Sequence, residues 1–306
     1  MTARQYSTPL AFKQALEQRL RASTTTGIAF ARRRQLLVFD RFFARLAQVA
    51  GESVVLKGGL VLELRLARAR TTKDVDLRMM GSPGNVLELL QEAGRLDLGD
   101  CMLFEVQPDA DHPEIQNEGM RYDGFRFRAE CRLAGMIYGR PFGVDVAFGD
   151  PLVGEPDVVV TDDVLAFAGI APPSLRLYPV VSHIAEKLHA FTMPRPRPNS
   201  RVRDLPDLAL LATTGPIDGA ALRRAIELTF EFRGTHAVPK ECPPPPEFWA
   251  APYEAMAEND DLAWKTLEEV TRAVKVFLDP ALGSAECGAW EPSGWRWQRR
   301  AEAMKL

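Results

Sequence analysis

The chain has 306 residues, a hydrophobic fraction of 46% and a formal net charge of −3, which fits a globular protein of one or two domains. It contains no run of about 18 apolar residues, and its N-terminal segment lacks the apolar middle of a secretion signal, so we expect a cytoplasmic protein that crosses no membrane. The four cysteines are scattered and form no metal-binding pair.

Because the overall charge is slightly negative, any nucleic-acid partner must be held by a local basic patch. Arginines are concentrated in three groups along the chain, which are typical either of such a patch or of a solvated surface. The groups are Arg32, Arg33 and Arg34; Arg195, Arg197, Arg201 and Arg203; and Arg296, Arg299 and Arg300.

The N-terminal segment predicts two helices, over residues 8–22 and 27–50, because apolar residues recur there at helical spacing. The pattern then changes. A short β-branched run at 53–56 predicts a strand that ends at Lys57-Gly58-Gly59, and the following residues predict a helix. Asp74 to Leu77 alternates polar and apolar residues, as a half-buried strand does.

Farther along, residues 83–94 predict a helix, and two stretches of period-two character predict strands at 121–131 and 135–148. We expect another helix over about 162–169. After Pro172-Pro173 the pattern is mainly helical, and a domain boundary is predicted there, dividing the chain into residues 1–172 and 173–306. The predicted C-terminal helices cover 179–192, 203–213, 217–232 and 260–278, with proline-rich connectors at 195–198 and 243–246.

Asp74 and Asp76 form the first candidate functional group. A spacing of two on a strand places both carboxylates on one face, where they repel each other unless a cation lies between them. Mg²⁺ prefers such oxygen ligands. Asp145, on another predicted strand, is the candidate third acid of a phosphoryl-transfer site. The alternative is that the pair is merely solvated on an exposed strand.

The Gly58-Gly59 turn lies between a strand and a helix, so it can expose backbone N–H groups to a phosphate, with Lys57 adding positive charge. A plain tight turn is the alternative interpretation. The first predicted C-terminal helix carries Lys187, which either extends to solvent or neutralises a triphosphate.

Asp204 and Asp207 are neighbours on the next predicted helix. They either stabilise its N-terminus or orient Lys187 or an arginine. His189 in this region is more typical of packing or hydrogen bonding, and we assign it no chemistry.

These motifs, in this order, resemble the AbiEii/AbiGii-type toxin family, which includes the MenT toxins of mycobacteria. The matching segments lie within residues 55–212, roughly half of the chain. They read LKGGLVLELRLARARTTKDVDL and IAEKLHAFTMPRPRPNSRVRDLPDLALLA.

The resemblance implies a mixed α/β (α+β) fold, with a nucleotidyltransferase sheet of the DNA polymerase β type, flanking helices and a helical C-terminal domain. It implies transfer of a nucleoside monophosphate from an NTP to RNA, with the tRNA 3′ end as acceptor, and a cognate antitoxin as partner. The implied cofactor is Mg²⁺, or Mn²⁺ in its place. The implied metal ligands are Asp74, Asp76 and Asp145, the further catalytic residues are Lys187, Asp204 and Asp207, and the nucleotide-binding residues are Lys57, Gly58, Gly59, Arg70, Lys73 and Arg203.

Leu60 departs from the family pattern, which has serine or threonine directly after Gly-Gly. The missing hydroxyl favours one alternative to the RNA-modifying enzyme, a weakly catalytic NTP-binding protein that works through a partner. A separate alternative keeps the fold and changes the acceptor, to a protein or a small molecule.

Overall fold

The computed structural model describes residues 6–66, 72–81, 83–114, 124–195, 199, 201–283 and 287–298. The N-terminal helices are α1 (Pro9–Ala22) and α2 (Gly27–Ala50). Each begins at a threonine whose hydroxyl accepts a backbone N–H of the first turn, Thr8 for α1 and Thr26 for α2. Both predicted N-terminal helices are therefore confirmed.

The next elements are β1 (Val54–Lys57), α3 (Gly59–Arg65), β2 (Val75–Met79) and α4 (Val86–Arg95). Four strands follow: β3 (Met102–Pro108), β4 (Gly124–Leu133), β5 (Met136–Ile137) and β6 (Phe142–Phe148). They are joined by β7 (Asp157–Val160) and β8 (Ser174–Leu177). The sequence did not predict β3, β7 or β8.

Within the described residues these eight strands form one sheet, in the order β3-β4-β6-β2-β1-β8-β7, with β5 paired to β4. The β2–β6 and β1–β8 pairs are parallel, and the other pairs are antiparallel. The sheet is therefore mixed, as the fold prediction requires. One hydrophobic core joins it to α1, α2 and α4, with contacts such as Phe42 on Phe104 at 5.3 Å between ring centres.

The C-terminal helices are α5 (Val180–Thr192), α6 (Asp204–Leu211), α7 (Gly219–Arg233), α8 (Ala250–Asn259) and α9 (Leu267–Gly283). They share a second core. A small sheet of β9 (Ile217–Asp218), β10 (Ala289–Glu291) and β11 (Arg296–Trp297) packs beside them and was not predicted. Leu62 of α3 belongs to this second core while Leu60 and Val61 belong to the first, so α3 contacts both.

Two helix predictions were wrong in part. Residues 162–169 form only a single 3₁₀ turn at Ala166–Ala168, because Gly169 takes a left-handed conformation that ends it and Phe167 packs against Phe12. The last predicted helix, 260–278, begins at Leu267, because Thr266 and Glu269 cap its N-terminus with reciprocal side-chain to backbone hydrogen bonds.

The boundary at residue 172 stays a prediction. β8, which follows it, still pairs with β1, whereas the buried residues of the second core begin at Ile184, apart from Leu62. No helix in the described part of the chain combines the length and the apolar character needed to cross a bilayer.

Candidate active site

A row of four charged residues crosses the centre of the large sheet. Lys57 of β1 is in register with Asp76 of β2, Asp76 with Asp145 of β6, and Asp145 with Arg126 of β4. Residues directly opposite on neighbouring strands project to the same face of a sheet. The row therefore presents two adjacent carboxylates between two cations.

Asp76 has a raised pKa. Burial, and then the nearby charge of Asp145, raise the pKa of its carboxyl from 3.8 to about 6, against the opposing effect of Lys57 and Lys187. A carboxylate that is buried beside a second one is stabilised in its charged form by a cation. The arrangement of Asp76 and Asp145 therefore favours cation binding.

Gly58 allows the backbone to approach Asp76. Its φ of +71° lies in a region that L side chains rarely adopt, and a Cβ added here would overlap the Asp76 carboxylate and lie 2.5 Å from Cγ. Only glycine fits in this turn, for both reasons. The predicted Lys57-Gly58-Gly59 turn thus lies directly against the predicted acid.

Asp74 lies one residue before β2 and is exposed. Its Oδ1 accepts the backbone N–H of Gly143 at 3.2 Å, which places the carboxylate beside the start of β6. Asp74 and Asp76 line the same cleft, Asp74 as an exposed residue and Asp76 as a half-buried one.

Both carboxylate oxygens of Asp145 are bound by Arg126, with Nε–Oδ1 at 2.8 Å and Nη2–Oδ2 at 2.7 Å. This hydrogen-bonded pair raises the pKa of Arg126 above its usual value. Within the described ranges, no group of three or more His, Cys, Asp or Glu side chains is arranged to hold a metal ion. The structure thus brings Asp145 next to Asp76 but gives it a guanidinium partner that sequence reasoning missed.

Lys187 of α5 is held by two aspartates of α6. Its Nζ lies 2.9 Å from Asp204 Oδ1 and 2.8 Å from Asp207 Oδ2, and Asp207 is fully buried. Arg201 also contacts Asp204, at 3.3 Å. Of the two sequence-based interpretations, the geometry agrees with the one in which these acids orient Lys187.

A second cluster of buried charges joins the sheet to the helices. Asp150, directly after β6, accepts hydrogen bonds from Lys57 at 2.6 Å and from Arg233 of α7 at 3.2 Å. Glu186 of α5 contacts the same two cations. Burial opposes the ionisation of Asp150, but Lys57 and Arg233 outweigh it and hold its pKa at about 2.

Asp150 and Arg233 lie outside the sequence motifs, and Glu186, which precedes Lys187 in a matching segment, was assigned no role. The three residues meet only in the folded chain. The consequence for Lys57 is direct. Lys57 lines the cleft, but its ammonium group is already paired with the carboxylates of Asp150 and Glu186. It is therefore less available to a phosphate than the sequence suggested.

These residues enclose a cleft of about 940 Å³ between the large sheet and helices α5 and α6. Predicted residues that line it are Lys57, Gly58, Gly59, Lys73, Asp74, Asp76, Asp145, Lys187, Arg203 and Asp204. Asp207 is not among the residues described as lining the cleft, but it forms an ion pair with Lys187, which does line it. Arg70 lies outside the described residues. Lys73 and Arg203 are exposed, and neither forms an ion pair with a residue in the described ranges.

The arginine groups differ in their relation to this cleft. Arg195, Arg201 and Arg203 line it, whereas Arg197 lies outside the described residues. The first group is paired with acids elsewhere: Arg32 with Glu63, Arg33 with Asp162 and Arg34 with Glu17. In the third group, Arg296 pairs with Glu291, and Arg299 and Arg300 are not described.

Leu60 does not face the cleft. Its side chain is 1% exposed and packs in the first hydrophobic core, on the opposite side of α3 from the acids. Thr72 does line the cleft, and its backbone N–H donates to Glu63 at 3.1 Å.

The mixed sheet, the neighbouring strand carboxylates, the glycine turn and the opposed lysine form the arrangement that the resemblance to nucleotidyltransferases implies. Residues 41–276 match the sequence model of the family described as nucleotidyl transferase AbiEii toxin, Type IV TA system. The chain belongs to this family, which confirms the resemblance and the nucleotidyltransferase class.

Two solved structures are similar to this chain. MenT4, a nucleotidyltransferase toxin from Mycobacterium tuberculosis, is 19% identical, with 70% of this chain and 68% of that one covered and a TM-score of 0.48. JHP933 from Helicobacter pylori is 16% identical, with 85% and 90% covered and a TM-score of 0.43. A comparison with curated proteins finds no match.

Proposed function

We propose that this protein transfers a nucleoside monophosphate from an NTP to the 3′ end of RNA, with tRNA as the acceptor, and thereby blocks translation. The observation that carries the proposal is the in-register pair of Asp76 and Asp145 facing Lys187 across one cleft. Phosphoryl transfer requires carboxylates to position a cation and a fixed positive charge for the leaving group.

The donor set fits the Mg²⁺ or Mn²⁺ that the family implies. Asp74, which is exposed, and Asp76, which is partly buried, both offer hard carboxylate oxygens to the cleft. The raised pKa of Asp76 reflects a carboxylate that a cation would stabilise. Asp74 and Asp76 would hold the ion, and Asp145 would join them once Arg126 releases it. When bound, such an ion polarises a phosphate and neutralises part of its charge.

The remaining chemistry belongs to side chains of this protein. Asp145 accepts the proton of the attacking hydroxyl, since it lies beside Asp76 on the adjacent strand. Lys187 balances the negative charge of the departing pyrophosphate, and Asp204 and Asp207 fix its position. Gly58 and Gly59 let the triphosphate approach the backbone, and Lys73 and Arg203, which line the cleft, bind it.

RNA as acceptor is supported by the charge of the cleft rim. Lys73, Arg195 and Arg203 line one open cleft, and Lys73 and Arg203 are exposed. Exposed cations bind a phosphate backbone without reading its sequence. Because NTPs and tRNA are cytoplasmic, the proposed place of action is the cytoplasm, where a cognate antitoxin is the expected partner.

The position of Leu60 argues against a weakly catalytic protein. The Leu60 side chain packs in the core and does not line the cleft, so position 60 presents no side chain to a nucleotide bound there. The protein is therefore proposed to be a catalytically active nucleotidyltransferase.

The test combines labelled NTPs with total RNA and, separately, with lysate protein. We expect label in RNA for the wild type and for Asp163→Asn, a change at an exposed carboxylate outside the cleft, and none for Asp76→Asn. Sequencing of tRNA 3′ ends then identifies the added nucleotide. Label in protein alone would refute the RNA acceptor, and equal labelling by wild type and Asp76→Asn would refute the catalytic role of Asp76.

A further inference from the structure

His183 has no role in the site as described so far. Its side chain is 2% exposed and lines the cleft, yet neither Nδ1 nor Nε2 has a hydrogen-bond partner within the described part of the protein. A histidine with a purely structural role is normally hydrogen-bonded when it is buried. An unpaired polar ring at the wall of a cleft therefore indicates a ligand contact.

The periodicity of α5 explains why His183 faces the cleft. His183, Glu186, Lys187 and Ala190 follow the spacing i, i+3, i+4, i+7 and all line it. Ile184, Leu188 and Phe191 lie on the other side, in the second hydrophobic core. His183 is thus held beside Lys187 on α5, with its side chain at the wall of the cleft and its two ring nitrogens buried.

The charges around the ring select the kind of ligand. Burial, and then the neighbouring Lys187, hold the pKa of His183 well below its usual value, with Arg65 and Lys57 acting in the same sense and Asp207 opposing them. A neutral imidazole has one N–H donor and one acceptor nitrogen. A donor surrounded mainly by cations suits an anionic oxygen.

We propose that His183 binds the polyphosphate chain of the nucleotide, donating a ring N–H to a phosphate oxygen between Lys187 and the Gly58-Gly59 turn. This inference rests on the proposed function, since it assumes that the cleft holds an NTP. It adds a nucleotide-binding residue that none of the sequence motifs contains.

The test measures the affinity of a non-hydrolysable NTP analogue and of inorganic tripolyphosphate, with Mg²⁺ present, by calorimetry. The variants are His183→Leu, His183→Asn and His183→Gln. His183→Leu is expected to bind both ligands about tenfold or more weakly, the effect of losing a hydrogen bond to a charged group. At least one amide variant is expected to keep affinity within about threefold, because each amide N–H₂ can replace one ring N–H.

Thermal unfolding separates binding from folding. Because the ring has no hydrogen-bond partner among the described residues, His183→Leu is expected to be at least as stable as the wild type while binding the ligands less well. Loss of stability in all three variants, together with loss of binding, would mean a structural role and would overturn the inference. If only the leucine variant fails to fold, the two amide variants decide: retained affinity in either supports the contact, and loss in both overturns it.

Three further outcomes are distinct. Unchanged affinity of His183→Leu for both ligands overturns the inference and leaves the proposed function intact. Weaker binding of the NTP analogue alone means that His183 contacts the nucleoside, which also overturns it. A wild-type protein that binds neither ligand overturns the inference and the proposed function together.

Discussion

Replacing Gly58 by alanine perturbs one contact that the structure defines closely. The new Cβ would overlap the Asp76 carboxylate and lie 2.5 Å from Cγ and 2.8 Å from Cβ of Asp76. Ordinary contact begins near 3.4 Å, so the carboxylate must move by about 1 Å. A displacement of that size in a catalytic group costs about 100-fold in rate.

Alanine at position 58 also strains the backbone, because Gly58 has a positive φ. Gly51, which has similar backbone angles, provides a matched control for this strain. Gly58 has φ 71° and ψ −157°, and Gly51 has φ 57° and ψ −131°. A Cβ on Gly51 would meet no atom within 4 Å. Alanine at either position forces a side chain into a conformation that favours glycine, at a cost of about 1–3 kcal/mol.

We therefore expect both variants to lose free energy of unfolding, measured by urea denaturation, with Gly58→Ala losing at least as much as Gly51→Ala because of its added overlap with Asp76, while only Gly58→Ala loses nucleotidyl transfer. Rates are compared at a temperature at which both variants are fully folded. A Gly58→Ala variant that is as active as Gly51→Ala would refute the reasoning, since Asp76 would then tolerate displacement or have no catalytic role.

Three other perturbations test separate parts of the structure. Lys187→Met should lower the free energy of unfolding by about 3–5 kcal/mol, because it leaves buried carboxylates without their cation. In a double-mutant cycle, adding Asp207→Leu should restore most of the lost stability but no activity. Purely additive effects on stability would contradict the pairing of Lys187 with Asp207. Burial raises the pKa of Asp40 to about 6, so its contribution to stability is full below about pH 4 and is lost as the pH rises through about 6. Asp40→Asn should therefore be more stable than wild type by about 1–3 kcal/mol at pH 7.5 and no more stable at pH 4, and a difference independent of pH in urea denaturation would exclude this explanation. Arg203→Gln should reduce the salt dependence of RNA binding by about one unit in the slope of log K against log salt, and an unchanged slope in a fluorescence titration would remove Arg203 from the RNA surface.

Several features of this fold follow from short stretches of sequence. Thr8 and Thr26 precede apolar residues at helical spacing, and α1 and α2 begin directly after Thr8 and Thr26. The β-branched run before Gly58 forms β1, and the alternation around Asp76 forms β2. Capping, turn and periodicity depend on neighbours within about four residues, so a single chain contains the information.

The errors have local and non-local causes. The start of α9 has a local signal in the sequence, the capping box of Thr266 and Glu269. By contrast, β7 and β8 are short and gain their stability from pairing within the large sheet. No local pattern predicts such a pairing.

For the candidate site, the sequence by itself indicated which residue types are available and how they are spaced: the acid pair at the start of β2, the glycine turn, and Lys187 with two aspartates on the next helix. Only the tertiary structure decided which charges meet. Strand order and register align Asp145 with Asp76 and with Arg126, and helix packing brings Asp150 and Arg233 to Lys57. The physical reason is that a strand pattern specifies the face of a side chain but not its cross-strand neighbour, which depends on packing between residues far apart in the chain.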